Sequence, residues 1–407
     1  MGLHTGDINS EVSRHSTRPS MSLDFQNGKI NPSYVDYTRS SQATYWDKDG
    51  NMKVAAVNEV PFDHNPATGE SLGVPFELPR TNLVGGVILG YGNAPASASN
   101  TEGLLGAIDA SIPVPDATAD RYQWVSGSYS AGQRLTLSWF EKPLDKAYGV
   151  NLGNFQSTGI AVNGELNMTR VGILIEEDCG NGWYRYAQVF EVNTTASITI
   201  RAYFGAQIGI ANTNQVAFWG FQIEAGDFHT SYILPGTTRA RGVMNLNSNY
   251  PIESKTHGTN GFSVYIEGKT GNQHAKSSVT NFQLIEMATT TAGYSLVRLG
   301  NPTSSGASGY VLLQHHNGSS ISLSAQTQSI GLRTKFRTAI RFKDNNAAIS
   351  VNGGSIGRDS YGTVGDLTYN SCSIGGGGQP FDSGWIGKIA FYTRGLTDSQ
   401  ILEITEA

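Results

Sequence analysis

Apolar and polar residues alternate with period two through most of this chain, and turn residues break the alternation every ten or so positions. The pattern leaves little room for anything but sheet. YQWVSGSYS from Tyr122, QRLTLSWFEK from Gln133 and SITIRAYFG from Ser197 are of this kind. So are FSVYIEGKT from Phe262, YVLLQHH from Tyr310, FRTAIRFKD from Phe336 and AAISVNGGSIG from Ala347. Composition agrees: 49 glycines and only 15% charged residues suit many tight turns between short strands and few exposed helices. At 407 residues the chain has room for two or three domains of ordinary size.

The charge balance narrows the partners. A net charge of −5 without clustered Lys and Arg argues against nucleic acid, because phosphate neutralisation needs a basic patch. No stretch approaches the ~18 apolar residues of a membrane span, and the first thirty residues lack a hydrophobic signal core. Synthesis in a cytoplasm is therefore expected. Cys179 and Cys372 fall in different predicted domains and have no metal spacing, so both read as free thiols.

Two linked strings stand near the front: TRSSQATYWDKDGNMKVAAVNEV from Thr38 and PFDHNPATGESLGVPFELPRTNLV from Pro61. DKDG and PATG are turn strings, and Tyr45, Trp46, Val54 and Val57 alternate around them, which predicts a ribbon of short hairpins. Asp63, His64 and Glu70 read as polar turn residues. Nearly position by position these strings resemble the opening segment of fibre and head-spike proteins of tailed bacteriophages. Gln42 and Val74-Pro75-Phe76 stand where that family has Ala and an aliphatic run. The resemblance implies a virion surface protein, of head or tail, assembled in the host cytoplasm and joined to other virion proteins by residues 1–83. Residues 1 to about 30, polar and without a clear period, read as an attachment arm or a frayed terminus.

Two further stretches carry resemblances. GWYR from Gly182, WGFQIEAG from Trp219, TSYI from Thr230 and TRA from Thr238 resemble the last third of a carbohydrate-binding-like jelly roll common in phage proteins, which would span 84–241. After a linker from Gly242 rich in Asn, Ser, Pro and Gly, residues 252–407 close with Val351-Asn352-Gly353, Trp385-x-Gly387-x-Ile389, Tyr392-x-Arg394-x-Leu396 and a short helix after Thr397. That ending is similar to laminin-G or concanavalin-A-like jelly rolls. Thr397 can cap the helix, with Asp398 in its positive first turn. The expected fold is all-β: two tandem jelly-roll sandwiches preceded by an extended N-terminal hairpin segment, separable at about Asn82.

The chemistry-bearing residues give no catalytic constellation. Glu176 and Asp178 approach the glucanase string Glu-x-Asp-x-x-Glu, but Asn181 stands where its third acid belongs. His315 and His316 are adjacent and would point to opposite faces of a strand. GSYSAG at Gly127 lies between strands, unlike a nucleophile elbow, and the run Gly375 to Gly378 lacks a phosphate-loop tail and reads as a close approach or bulge. Sugar adhesion would instead use aromatic platforms. Trp183 and Trp219 fall at core positions of the alternation, so the candidates are Trp124, Trp139 and Trp385. The laminin-G resemblance implies a possible calcium ion at the sandwich rim, with Asp366, Asn370 and Asp382 as candidate ligands. Without a sustained heptad, a homo-oligomer, a trimer among the options, would form by side-by-side packing. Host-surface glycan is the expected external partner, and a capsular polysaccharide depolymerase, hydrolase or lyase, is the alternative function.

Overall fold

The computed structural model describes residues 17–28, 30–85, 102–107, 110, 122–143, 162–163, 168–203, 216–247, 255–256, 259–271, 281–289, 293–300, 308–317, 320–365, 367–375 and 383–406. These residues form strands and, among them, one helix, Asp398–Thr405. The expectation of an all-β sandwich protein holds.

The larger sandwich is made of two eight-stranded sheets. One runs in the order Gly357–Asp359, Ala347–Val351, Lys335–Phe342, Phe262–Thr270, Ser383–Tyr392, Ser71–Glu77, Asp63–His64, with Met21–Asp24 also on Ser383–Tyr392. The other runs Val35–Thr38, Val243–Leu246, Leu367–Ile374, Asn281–Thr289, Gly293–Gly300, Ser308–Asn317, Ser320–Gly331, with Lys255–Thr256 also on Leu367–Ile374. Alternate residues of both sheets meet in one core, where Phe25, Val74, Phe76, Val264, Ile285, Ile340 and Ile374 are fully buried.

The front segment is therefore not a separable ribbon. Its strands are too short and too sparsely apolar to make a core of their own, and they bury their edges in the C-terminal sandwich. Ser383 to Ile386 pair with Glu77 to Val74, and Lys388 to Phe391 pair with Asp24 to Met21. The predicted linker contributes as well: Val243–Leu246 lies between Val35–Thr38 and Leu367–Ile374. The boundaries at 83 and 252 give way to a different plan, in which one discontinuous sandwich, residues 17–77 and 243–406, carries the middle module as an insertion.

That module has a four-stranded sheet, ordered Met168–Asp178, Tyr184–Val192, Arg134–Pro143, Val216–Ala225, and a three-stranded sheet, ordered Val162–Asn163, Ala196–Tyr203, Tyr122–Tyr129. Leu135, Leu137, Tyr186, Phe190 and Ile223 fill the space between them. The two chain crossings zip together, since Arg80–Thr81 pairs with Thr238–Arg239 and the two threonine hydroxyls lie 2.8 Å apart.

The helix forms as its sequence predicts. Thr397 Oγ1 accepts the Gln400 N–H, and Gln400 Oε1 accepts the Thr397 N–H, a capping box. Arg341 and Arg358 both bind Asp398 in the first turn, while Leu396 and Ile401 seat on Tyr265, Ala339 and Ala390 on the outer face of the sheet.

Candidate functional site

The strings quoted above converge on the joint between the two sandwiches. The hairpin Ala43–Trp46/Met52–Ala55, turned at Asp47 to Gly50, lies on the outer face of the four-stranded sheet. There Trp46 meets Phe140 edge-on at 6.4 Å, and Phe140, Trp219 and Tyr232 pack ring against ring. Gly50 is obligatory in the turn: its φ is +74°, and a Cβ there would stand 2.6 Å from the Pro66 carbonyl oxygen.

Internal hydrogen bonds account for most of the string residues. Glu224 accepts the Thr230 N–H (3.0 Å) and hydroxyl (2.5 Å), and Gln222 Oε1 accepts the Ile233 N–H at 2.6 Å, which pins the Thr230 to Ile233 loop. Asn82, fully buried, donates to the Phe221 and Ile233 carbonyls and accepts from the Val84 and Ile223 N–H groups. Arg239 ties Glu77 and the Leu78 carbonyl together, and Glu77 also accepts the Ser231 N–H and hydroxyl.

Between these fixtures is a cleft of about 350 Å³. The discontinuous sandwich supplies Trp385, Lys269, Arg333, Asp63 and His64; the inserted module supplies Arg185, Glu177, His229 and Ser231. Strand register places the groups: Lys269 and Pro75 flank Trp385 on neighbouring strands, and Glu177, Arg185 and Phe140 lie in one row across the other sheet.

Trp385 is half-buried, and its indole N–H donates to Asp63 Oδ2 at 2.7 Å, while Asp63 Oδ1 accepts the Trp46 N–H at 2.7 Å. Asp63 is thus a buried linchpin and not the solvated turn acid that its DHNPATG string suggests. Burial pushes its carboxyl up to about 6 against the pull of those two bonds. The Lys269 ammonium stands 5.7 Å from the Trp385 ring centroid, and burial lowers its pKa. Burial alone would raise Glu177, but His229, at 3.2 Å, Arg333, at 2.6 Å, and the more distant Arg185 outweigh it and hold the carboxyl well below the usual range.

Of the other aromatic candidates, Trp139 is corrected: it is 4% exposed, tilts against Tyr186 at 5.8 Å and donates its indole N–H to Glu141 at 2.6 Å, so it offers no face to a sugar. Trp183 and Trp219 are buried, as their place in the alternation predicts. Trp124 lies in the strand Tyr122–Tyr129 opposite Arg201, on the three-stranded sheet away from the cleft. Asn370 lies in the strand Leu367–Ile374, not in a loop, and Asp366 and Asp382 fall outside the described residues. Among the described residues no three His, Cys, Asp or Glu side chains cluster in a way that could hold a metal.

The remaining candidates are placed as follows. Cys179 and Cys372 are buried free thiols, the former pushed up to about 12 by burial. His315 bonds Ser295 Oγ at 2.8 Å, and burial pushes it down to about 4. Gly375, at φ +61°, is a close approach, because a Cβ would stand 2.1 Å from the Phe76 ring. Glu176 shares a sheet face with Glu141, whose carboxyl burial pushes up to about 7. No described helix is long and apolar enough to cross a membrane. Sequence reasoning missed Asp63 and Arg185; the only available signal was that both fall inside strings that carry the resemblances.

No protein family and no curated protein matches the chain. Among solved structures it is similar to the CBM40 module of the Ruminococcus gnavus IT-sialidase bound to α2,3-sialyllactose, at 12% identity and a TM-score of 0.27, over 39% of this chain and 88% of that one. It is also similar to domains LG4-5 of the mouse laminin α1 chain, at 9% identity and a TM-score of 0.24, over 66% of this chain and 86% of that one. Both likenesses are remote.

Proposed function

We infer that the chain is a glycan-adhesion protein of a tailed-bacteriophage particle, holding host-surface sugar in the cleft between its two sandwiches. The cleft carries this reading: at about 350 Å³ it fits the lower end of small-ligand sites, roughly 300–1,000 Å³, and it combines an oriented indole with polar groups from both sandwiches. A sugar binds such a site by laying an apolar ring face on the aromatic and spending its hydroxyls on the polar rim. Display of many copies on one particle, as homo-oligomers, would turn weak single sites into firm attachment. The particle assignment rests on the front strings, and immunolabelling of intact virions tests it, since label confined to the soluble fraction refutes it. Calcium at Asp366, Asn370 and Asp382 belongs to the same reading; an unchanged melting temperature on adding a chelator would remove it.

Binding of the full chain to host surface polysaccharide, followed by tryptophan fluorescence, tests the cleft. Trp385→Ala is expected to abolish binding, whereas Trp385→Phe, which keeps a ring but loses the bond to Asp63, weakens it several-fold. Unaltered binding by Trp385→Ala refutes the site. One observation favours a depolymerase: Glu141 is half protonated near neutrality with Glu176 on the same face, the kind of acid pair that glycoside hydrolysis uses. Against it, Glu141 is 3% exposed and spends Oε1 on the Trp139 indole. Release of reducing ends, lost in Glu141→Gln, would establish the enzyme reading.

A further inference from the structure

We propose that the sugar in this cleft is an acidic one, its carboxylate seated on Arg185 and drawn in by Lys269. The proposal rests on the glycan-adhesion reading and adds the ligand's class to it.

The acids that line the cleft are mostly engaged: Asp63 with two N–H donors, Glu77 with Arg239 and Ser231, Glu177 with Arg333 and His229, and Asp178 with the Gly180 N–H at 2.8 Å. Glu176 stands exposed at the rim. The cations are not matched in the same way. Arg185 neighbours Glu177 in the strand register and helps to hold that carboxyl ionised, but it is 7% exposed and makes no ion pair within 4 Å among the described residues. Its guanidinium makes one hydrogen bond, Nη2 to Ser138 Oγ at 3.0 Å, lies 5.1 Å from the Phe140 ring centroid, and leaves Nε without a partner.

A guanidinium has five N–H donors, so burying one against a single neutral acceptor leaves it far short of satisfied. The group that repairs this best is a planar carboxylate, which matches the guanidinium fork with two parallel charge-assisted bonds. Lys269 is the other cation lining the cleft that has no ion-pair partner within 4 Å among the described residues, and it comes from the other sandwich. An anion between the two would bridge the joint, while the pyranose ring reaches the Trp385 side of the cleft. A uronic acid and a sialic acid share this chemistry.

The experiment uses the full chain and two matched pairs of probes: an oligogalacturonate with its carboxyl-reduced form, and sialyllactose with lactose. The acidic member of one pair is expected to bind about tenfold or more tightly than its neutral partner at low salt, with the gap closing at high salt. Which pair shows the gap identifies the source of the carboxylate. Lys269→Gln is expected to weaken the acidic member several-fold more than the neutral one, a result that does not depend on how well an Arg185 variant folds. Equal binding of acidic and neutral members overturns the proposal and leaves glycan adhesion standing. Absence of binding by all four probes, to protein that keeps its cooperative melting transition, overturns both.

Discussion

Removal of residues 1–82 should unfold the C-terminal sandwich, although that sandwich looks complete in the sequence. The deletion takes away Met21–Asp24, Val35–Thr38 and Ser71–Glu77, and with them the buried side chains Leu23, Phe25, Val35, Val74 and Phe76, none more than 5% exposed. At about 1.5–3 kcal/mol for each large apolar side chain returned to water, the loss is on the order of 10 kcal/mol, as much as a whole domain usually has. Ser383–Tyr392 also loses every ladder bond on one side, because both missing segments pair along that edge. Hydrogen exchange at Phe262–Thr270 and Ser383–Tyr392 is the direct assay, and protection should collapse there. Phe76→Ala isolates the packing part: the ring fills the space above Gly375, and its removal should cost about 3–5 kcal/mol with the backbone ladder intact. Undiminished protection of Ser383–Tyr392 in the truncated chain would refute the insertion plan and restore the front segment as a removable arm.

Three more outcomes are expected. The Glu141 carboxyl rises from 4.5 to about 7 on folding, so its stabilising contribution is complete below pH 4.5 and lost as pH climbs through about 7; this amounts to roughly 3 kcal/mol. Glu141→Gln should therefore gain about that much on wild type between those pH values, whatever its constant offset, and urea titrations read by exchange at Arg134–Pro143 would show a pH-independent difference if this is wrong. Asp63 has the same sign, with stability falling as pH rises from 3.8 through about 6, so Asp63→Asn should flatten that part of the profile. Asn82→Asp removes the donors to Phe221 and Ile233 and buries a charge among carbonyls, which should cost about 3 kcal/mol or more by calorimetry; a shift within error would show that the zipped crossing is not the joint's anchor.

The strands were legible because alternation is a local property: Leu135, Leu137 and Trp139 can be assigned to one face of Arg134–Pro143 without knowing what covers them. The Thr397 cap was legible for the same reason, since its partner Gln400 is three residues away. The insertion was not. Nothing in the VDYT of Val35–Thr38 distinguishes a strand that pairs with its neighbour from one that pairs with Val243–Leu246, because the hydrogen-bonding groups are backbone and alike everywhere. Asp63 shows the same limit in one side chain. Its string is a turn string, and only an indole 322 residues away makes it a buried acid.

A hint did exist in the front segment's own poverty, since hairpins that cannot bury an apolar face must borrow one. The poverty shows a need and does not name the lender. The other sandwich of the same chain was always a candidate beside a virion partner, and covalent connection gives it the advantage of high effective concentration. The same consideration bears on the strings that carry the resemblances: Gln222 and Glu224 pin the Thr230 to Ile233 loop inside the inserted module, Asn82 anchors the chain crossing to it, and Glu77 with Arg239 and Ser231 ties that loop to the other sandwich. A cleft walled by such fixtures keeps its shape before any ligand arrives. The side chains free to vary its selectivity are then the few that the joint does not consume, Arg185, Lys269 and the face of Trp385.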